Sequence, residues 1–249
     1  MIDLLRAEFL KLRSTRTALG LFIITLIVSV VPTILLVALA PREVLDSEEA
    51  GSFFNVAASL VPYVVLVFGI LGMTNEYRHG TITYTYVATP RRGRVMIAKL
   101  VVYALVGAAM MLVAIVLVQL TARMGLQVRG IGYQSPEGMT LADPARQVVV
   151  AGLMTAFGVS LGALLRAQVP TVAGVLIWAF AVESIIAMVR PKIGVWLPFT
   201  VFNQVIGGNI GGAESSSGLE RPEAFLVSVV YIGIVSVAAV LISMSRDVT

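Results

Sequence analysis

Few residues in this sequence have types and spacings that could do chemistry, and they gather in two places. The first is the run Asn75-Glu76-Tyr77-Arg78-His79-Gly80-Thr81, which continues to Thr89-Pro90-Arg91. It sets charges of both signs, tyrosines and the sole histidine between two long apolar blocks. A connection of such defined character commonly contacts a partner. A basic topology signal with no partner accounts for the same residues equally well at this point. Its alternating Thr/Ile/Thr/Tyr/Thr/Tyr portion fits a strand as readily as a helix. The second place is Glu183, a carboxylate inside an apolar block, where a charge is expensive and commonly functional. Either it lines a substrate or ion path, or, near the outer interface, it pairs with Arg190 two helical turns on or reaches outer water.

Other chemistry is excluded by what is missing. There are no cysteines, so no thiol nucleophile or thiolate metal site can form. With His79 alone, neither a multi-histidine metal centre nor an H-E-x-x-H zinc site is available. Glu48-Glu49 sits in an acidic loop with no matching histidines, and reads as a solvated loop. No G-x-x-x-x-G-K-[ST] sequence occurs to cradle phosphates. The expectation is therefore a chain that is not an enzyme by itself and binds no metal or cofactor of its own. No basic-aromatic stretch suggests nucleic acid.

The elements that must position these residues are membrane spans. Hydrophobic residues make up 58% of the chain and charged ones 13%, whereas ordinary globular chains have roughly 45–50% and 25%. A crossing helix needs about 20 mostly apolar residues. Blocks of that kind run from Thr17 to Ala40, Ser52 to Thr74, Val95 to Ala122, Gln147 to Leu165, Val169 to Val189 and Ala224 to Met244. The reading is an all-α polytopic membrane protein, a single transmembrane domain over 1–249 with about six spans. Pro32 and Pro62 fall inside the first two blocks and predict kinks. The first block ends Ala38-Leu39-Ala40, like a signal-peptide cleavage site, but it is too long and is followed by Pro41. It reads as a permanent span.

Orientation follows the basic residues. Arg6, Lys11, Arg13 and Arg16 precede the first span, and Arg78, Arg91, Arg92, Arg94 and Lys99 surround the second connection. Arg166 lies between the fourth and fifth spans, and Arg246 follows the last. These segments are expected in the cytoplasm, which places both termini there.

Three segments are more than spans or plain loops. Residues 1–16 carry an apolar stripe, Ile2, Leu5, Phe9 and Leu12, and read as an amphipathic helix lying at the inner surface. Residues 75–94 form the connection already described. Residues 190–222 hold an apolar, aromatic stretch from Val195 to Ile206, too short to cross and suited to a re-entrant segment. A glycine- and serine-rich loop follows. Gly158 and Gly162 form a G-x-x-x-G that allows close helix packing, weakly suggesting a dimer seam.

This layout resembles the membrane subunits of type-2 ABC exporters. The resemblance rests on E-F-L-K-L-R-S-T-R-T from Glu8 to Thr17, and on E-Y-R-H-G-T-I followed by A-T-P-R-R-G-R-V and Lys99. The latter is similar to the family's E-x-x-x-G-T…T-P…R…K connection. The resemblance implies that residues 1–16 are an elbow helix and that Glu76, Tyr77, Arg78, His79, Gly80, Thr81, Pro90 and Arg91 belong to a coupling element. That element would dock on a separate ATPase subunit, which carries ATP and magnesium. It also implies a second membrane subunit, identical or related, and a bacterial cytoplasmic membrane. The chain departs from the family at Tyr84, Thr85 and Tyr86, where leucine and charge are common. Export of a hydrophobic or amphipathic cargo is the expected function. The alternatives are an ATP-independent carrier or channel, and a membrane scaffold or immunity-type protein.

Overall fold

The computed structural model describes residues 2–47, 54, 59–89, 92–132, 142–206 and 219–245. Pro90, Arg91, the acidic pair Glu48-Glu49, the loop 207–218 and Arg246 lie outside the described residues. Every regular element among those described is helical. Chain order is α1 (Ile2–Ser14), α2 (Arg16–Leu39), the short α3 (Arg42–Leu45), α4 (Val61–Arg78), α5 (Thr81–Ala88) and α6 (Arg92–Val128). There follow α7 (Ala142–Leu165), α8 (Gln168–Val189, with a π turn at Trp178–Val182), α9 (Pro191–Gly194), α10 (Pro198–Ile206) and α11 (Arg221–Ser245).

The protein is an all-α polytopic membrane protein. Among the described residues, five helices are long and apolar enough to cross a bilayer: α2, α6, α7, α8 and α11. The sequence predicts a further span over 52–74, and there the structure places α4. This helix runs from Val61 on through the polar Asn75-Glu76-Tyr77-Arg78, past the predicted end of the block. Its start at Val61 puts Pro62 in the first turn, where proline fits without a kink. Pro32, by contrast, lies inside α2. The ambiguous Thr/Tyr alternation is resolved as the helix α5. α6 is much longer than its block: 37 residues, or about 55 Å at 1.5 Å per residue.

α4 is the central element. Val61, Val65, Leu66 and Ile70 on it are fully buried, and α7 lies along it at very short range. A side-chain carbon at Gly158 would stand 2.2 Å from the Leu66 carbonyl oxygen, and one at Gly162 would stand 2.8 Å from that of Ile70. Gly69 reciprocates, with the Thr155 carbonyl oxygen 2.1 Å from where its Cβ would be. The G-x-x-x-G thus serves a seam within the chain, between α7 and α4, rather than one between two copies. In lipid, where apolar surface gains little by association, such backbone proximity is a main source of helix–helix attraction.

The periphery is different. α8 and α11 bury little of their surface, and large apolar side chains such as Phe180, Ile185, Leu226 and Ile234 point outward. At one end of the bundle, where α1, α5 and the basic residues collect, polar side chains are engaged with one another. At the far end Arg129 donates to the carbonyls of Val37 and Ala40 at 2.7 and 2.8 Å. It thereby satisfies the last turn of α2 with a cation, as a helix C-terminus favours.

The seam predicts a selective cost. Gly158→Leu should lower the thermal unfolding midpoint of the detergent-solubilised chain by several degrees, because overpacking against backbone costs about 1–3 kcal/mol or more. Gly174→Leu, where nothing lies within 4 Å of the added carbon, should leave the midpoint nearly unchanged.

Candidate functional site

At the basic end, the polar tail of α4 meets residues from three other helices. Lys99, seven residues into α6, is 0% exposed. An ammonium in such surroundings is tolerated only when paired and hydrogen-bonded. Its Nζ donates to Glu8 Oε2 on α1 at 2.6 Å and to Glu76 Oε1 on α4 at 2.8 Å. Lys11 on α1 completes the cluster, reaching Glu8 Oε1 at 2.9 Å and Glu76 Oε1 at 3.3 Å. It also donates to Thr85 Oγ1 on α5 at 3.2 Å. Two carboxylates and two ammonium groups therefore join α1, α4, α5 and α6.

Local sequence puts each group in position. Glu8 and Leu12, one turn apart, form the buried side of α1, so Leu12 enters the core while Glu8 reaches Lys99. Lys11, three residues from Glu8, extends along the rim. Gly80 adopts φ +67°, a left-handed conformation costly for any residue with a Cβ, and this lets α5 turn back beside α4. Thr81 Oγ1 donates to the Glu76 carbonyl at 3.4 Å. Ile82 is buried in the same core as Leu12, which fixes the rotation of α5. Tyr84 and Val87, three residues apart, consequently point outward with 78% and 79% exposure.

The remaining predicted residues surround this cluster. Arg78 donates to Gln168 Oε1 at 3.0 Å, linking the end of α4 to the start of α8. His79 Nδ1 lies 2.9 Å from the Asn75 carbonyl oxygen. The Arg166 guanidinium stands 5.1 Å over the ring of Tyr77, a cation–π arrangement. Glu76 also borders an open cleft of about 580 Å³, shared with Lys11, Asn75, His79, Tyr84 and Thr85. Its second oxygen, Oε2, is buried and has no hydrogen-bond partner among the described residues.

Burial by itself raises the pKa of the Glu8 carboxyl, but the adjacent Lys99 and Lys11 ammonium groups outweigh it and hold the group below its ordinary value of 4.5. Sequence reading placed Glu8 and Lys99 in motifs without pairing them. The available signal was a lysine recurring after the Thr-Pro connection, close enough to a span to need a counter-charge.

Glu183 belongs to a different site at the far end. Although only 1% exposed, it is not taken up by Arg190. Its Oε1 accepts from Trp178 Nε1 at 2.9 Å and from the backbone N–H of Phe199 at 3.1 Å. Oε2 accepts from the backbone N–H of Thr200 at 2.9 Å and its hydroxyl at 3.2 Å. A carboxylate on α8 thus caps the first turn of α10, satisfying N–H groups that have no partner within the helix and complementing its dipole. The π turn immediately before Glu183 shifts the register of α8 at this point.

The pattern of ABC-2 family transporter proteins matches residues 4–180, from α1 through the cluster and into α8. The chain belongs to the ABC-2 transporter family. It is a membrane permease component of an ABC transporter, the kind of subunit that works with an ABC ATPase. ABC-2 permeases are generally not catalytic themselves. No curated protein matches the chain.

Three outcomes test the geometry. Removing one partner of a buried pair leaves an uncompensated charge, at about 3–5 kcal/mol, so Lys99→Met should destabilise this ABC-2 subunit far more than Lys11→Met. The Glu8 contribution should be complete above pH 4.5 and fall away as the pH drops through the lowered value, because folding disfavours its protonation. Thermal unfolding across that acid range should show the loss, and Glu8→Gln should flatten it. At the other end, Glu183→Ala should cost about 1–2 kcal/mol through the lost cap. Limited proteolysis near α10 should speed up even where the rest of the fold holds.

Proposed function

We propose that this permease is the membrane half of an ATP-driven exporter and that α5, with the residues around it, is the element through which a separate ATPase subunit acts. The observation that carries the reading is the anchoring of α5. Lys11 and the buried Ile82 fix one side of it to the bundle, leaving Tyr84 and Val87 outward at the end where the basic residues collect. A short helix held on one side and apolar-aromatic on the other suits insertion into a cleft of a partner. Glu76, Tyr77, Arg78, His79, Gly80 and Thr81 then act as its base, and Pro90 and Arg91 as its exit.

In this reading ATP and magnesium bind on the partner, and the basic end faces the cytoplasm of a bacterial cell. Both chain termini lie on that side. A second membrane subunit, identical or related, completes the pathway against the apolar faces that α2, α8 and α11 leave uncovered. Closure of the ATPase pair pushes on α5. The cluster passes the displacement to α1, α4 and α6, since none of these can move alone without separating buried charges. A near-complete switch between inward and outward access needs ATP to favour one state by about 5.5 kcal/mol. The cargo is hydrophobic or amphipathic, such as a drug, peptide or lipid-like compound, because the spans carry no row of charges along a pathway.

The test is isolation of the tagged chain from its native membrane in mild detergent. A soluble partner with a phosphate-binding loop should co-purify, and Tyr84→Ala should reduce its yield at least tenfold while leaving the unfolding midpoint within a degree or two. Transport that persists without ATP, or retention of the partner by Tyr84→Ala, Arg78→Ala and Gly80→Val alike, would overturn the assignment. A carrier or a scaffold would then take its place.

A further inference from the structure

α1 has a second face that the charge cluster does not use. Leu5, Phe9 and Leu10 on α1 line a groove of about 580 Å³ with Val102, Leu105 and Ala109 on α6. Its walls are almost entirely apolar, and Arg6 stands among them as the one charged residue. Pockets of roughly 300–1,000 Å³ are large enough to bury most of a small ligand. Phe9, Leu10 and Leu105 are all more than half exposed, so the groove is open along its length and nothing among the described residues covers it.

We propose that this groove binds one acyl chain of an anionic phospholipid, with the headgroup phosphate on Arg6. The placement favours lipid over other occupants. α1 leads directly into a span, so the groove begins at the level of the headgroups and runs along α6 into the apolar layer. An interfacial helix with basic residues on its outer side draws anionic headgroups. With Glu8 turned inward to Lys99, the free charges on α1 are Arg6 and Arg13, two turns apart on one face, and a single acid, Asp3. A second copy packed here about a two-fold axis would bring these arginines together, which disfavours a protein seam. The arginine supplies bidentate phosphate geometry that a lysine would not.

The site lies beyond the ATPase-coupling reading and stands or falls without it. Its test uses the full chain in phosphatidylcholine vesicles containing a minor fraction of phosphatidylglycerol with a diazirine in its acyl chain. After illumination, peptides covering Leu5–Leu10 and Val102–Ala109 should carry severalfold more label than the equally exposed Leu226–Ile234 face of α11. Leu105→Trp, which fills the groove, should abolish that enrichment. Arg6→Gln should remove the preference for phosphatidylglycerol over a phosphatidylcholine probe of the same chain length. Equal labelling of both faces would mean bulk lipid only and would overturn the site. So would an enrichment indifferent to headgroup charge and to Arg6, or cross-links joining two copies through α1.

Discussion

A lysine with no access to solvent governs the basic end of this protein. Lys99 lies near the start of α6, where lipid or packed side chains replace water, and a lone ammonium there would be expelled or neutralised. It is retained because Glu8 and Glu76 both reach it, at 2.6 and 2.8 Å. That requirement dictates more than one contact. It needs α1 folded back against α6, so the residues ahead of the first span cannot be a free tail. It needs α4 to continue past its apolar portion, so Glu76 is delivered on a rigid helix rather than on a loop. Lys11 then balances the second carboxylate and, through Thr85, ties in α5. A buried ion group of this kind adds little net stability relative to an apolar core. Its stronger effect is to define one arrangement of four helices, since any other leaves a charge exposed to low dielectric.

The glycine seam does the complementary task without charge. α4 and α7 approach so closely at Gly69, Gly158 and Gly162 that backbone meets backbone. α4 is thus clamped along its apolar length by shape and at its polar end by ion pairs. A helix held in this way moves as a unit or not at all. The far end repeats the logic with one residue: Glu183 fixes the start of α10 by capping it from α8, so a helix of nine residues, too short to cross the membrane, still has a defined position.

Much of this was legible in the sequence, and the limits have physical causes. Long apolar blocks and the asymmetry of lysine and arginine reveal spans because the bilayer imposes a length and a charge rule that few soluble folds imitate. The connection from Asn75 to Arg91 stood out by its residue types. Hydropathy ends the second block at Thr74, whereas α4 continues to Arg78, because an apolar count cannot register that a helix runs on through polar residues. The cluster itself was not foreseen: Glu8 and Lys99 are 91 residues apart, and pairing over such a separation is a property of the packing, not of local pattern. Glu183 was visible as an anomaly, yet its partners are backbone N–H groups, which every residue type carries and no motif can advertise. The G-x-x-x-G marked close packing correctly but could not name the helix it faces.

If an ATPase acts through α5 as proposed, these constraints limit how the motion can travel. If the cluster broke on each cycle, every opening would strand at least one buried charge, a penalty of several kcal/mol set against the limited differential affinity that a nucleotide supplies. It is more economical for the charges to remain paired while α1, α4, α5 and α6 shift together. The yielding surfaces must then lie elsewhere, where contacts are apolar and interchangeable. The outward faces of α8 and α11 meet that description: these helices bury little of their surface, and Phe180, Ile185, Leu226 and Ile234 on them are exposed. Under the proposed coupling, the rigid part of the molecule would be the part that receives the input, and the pliable part would be the apolar rim against which a second membrane subunit would slide.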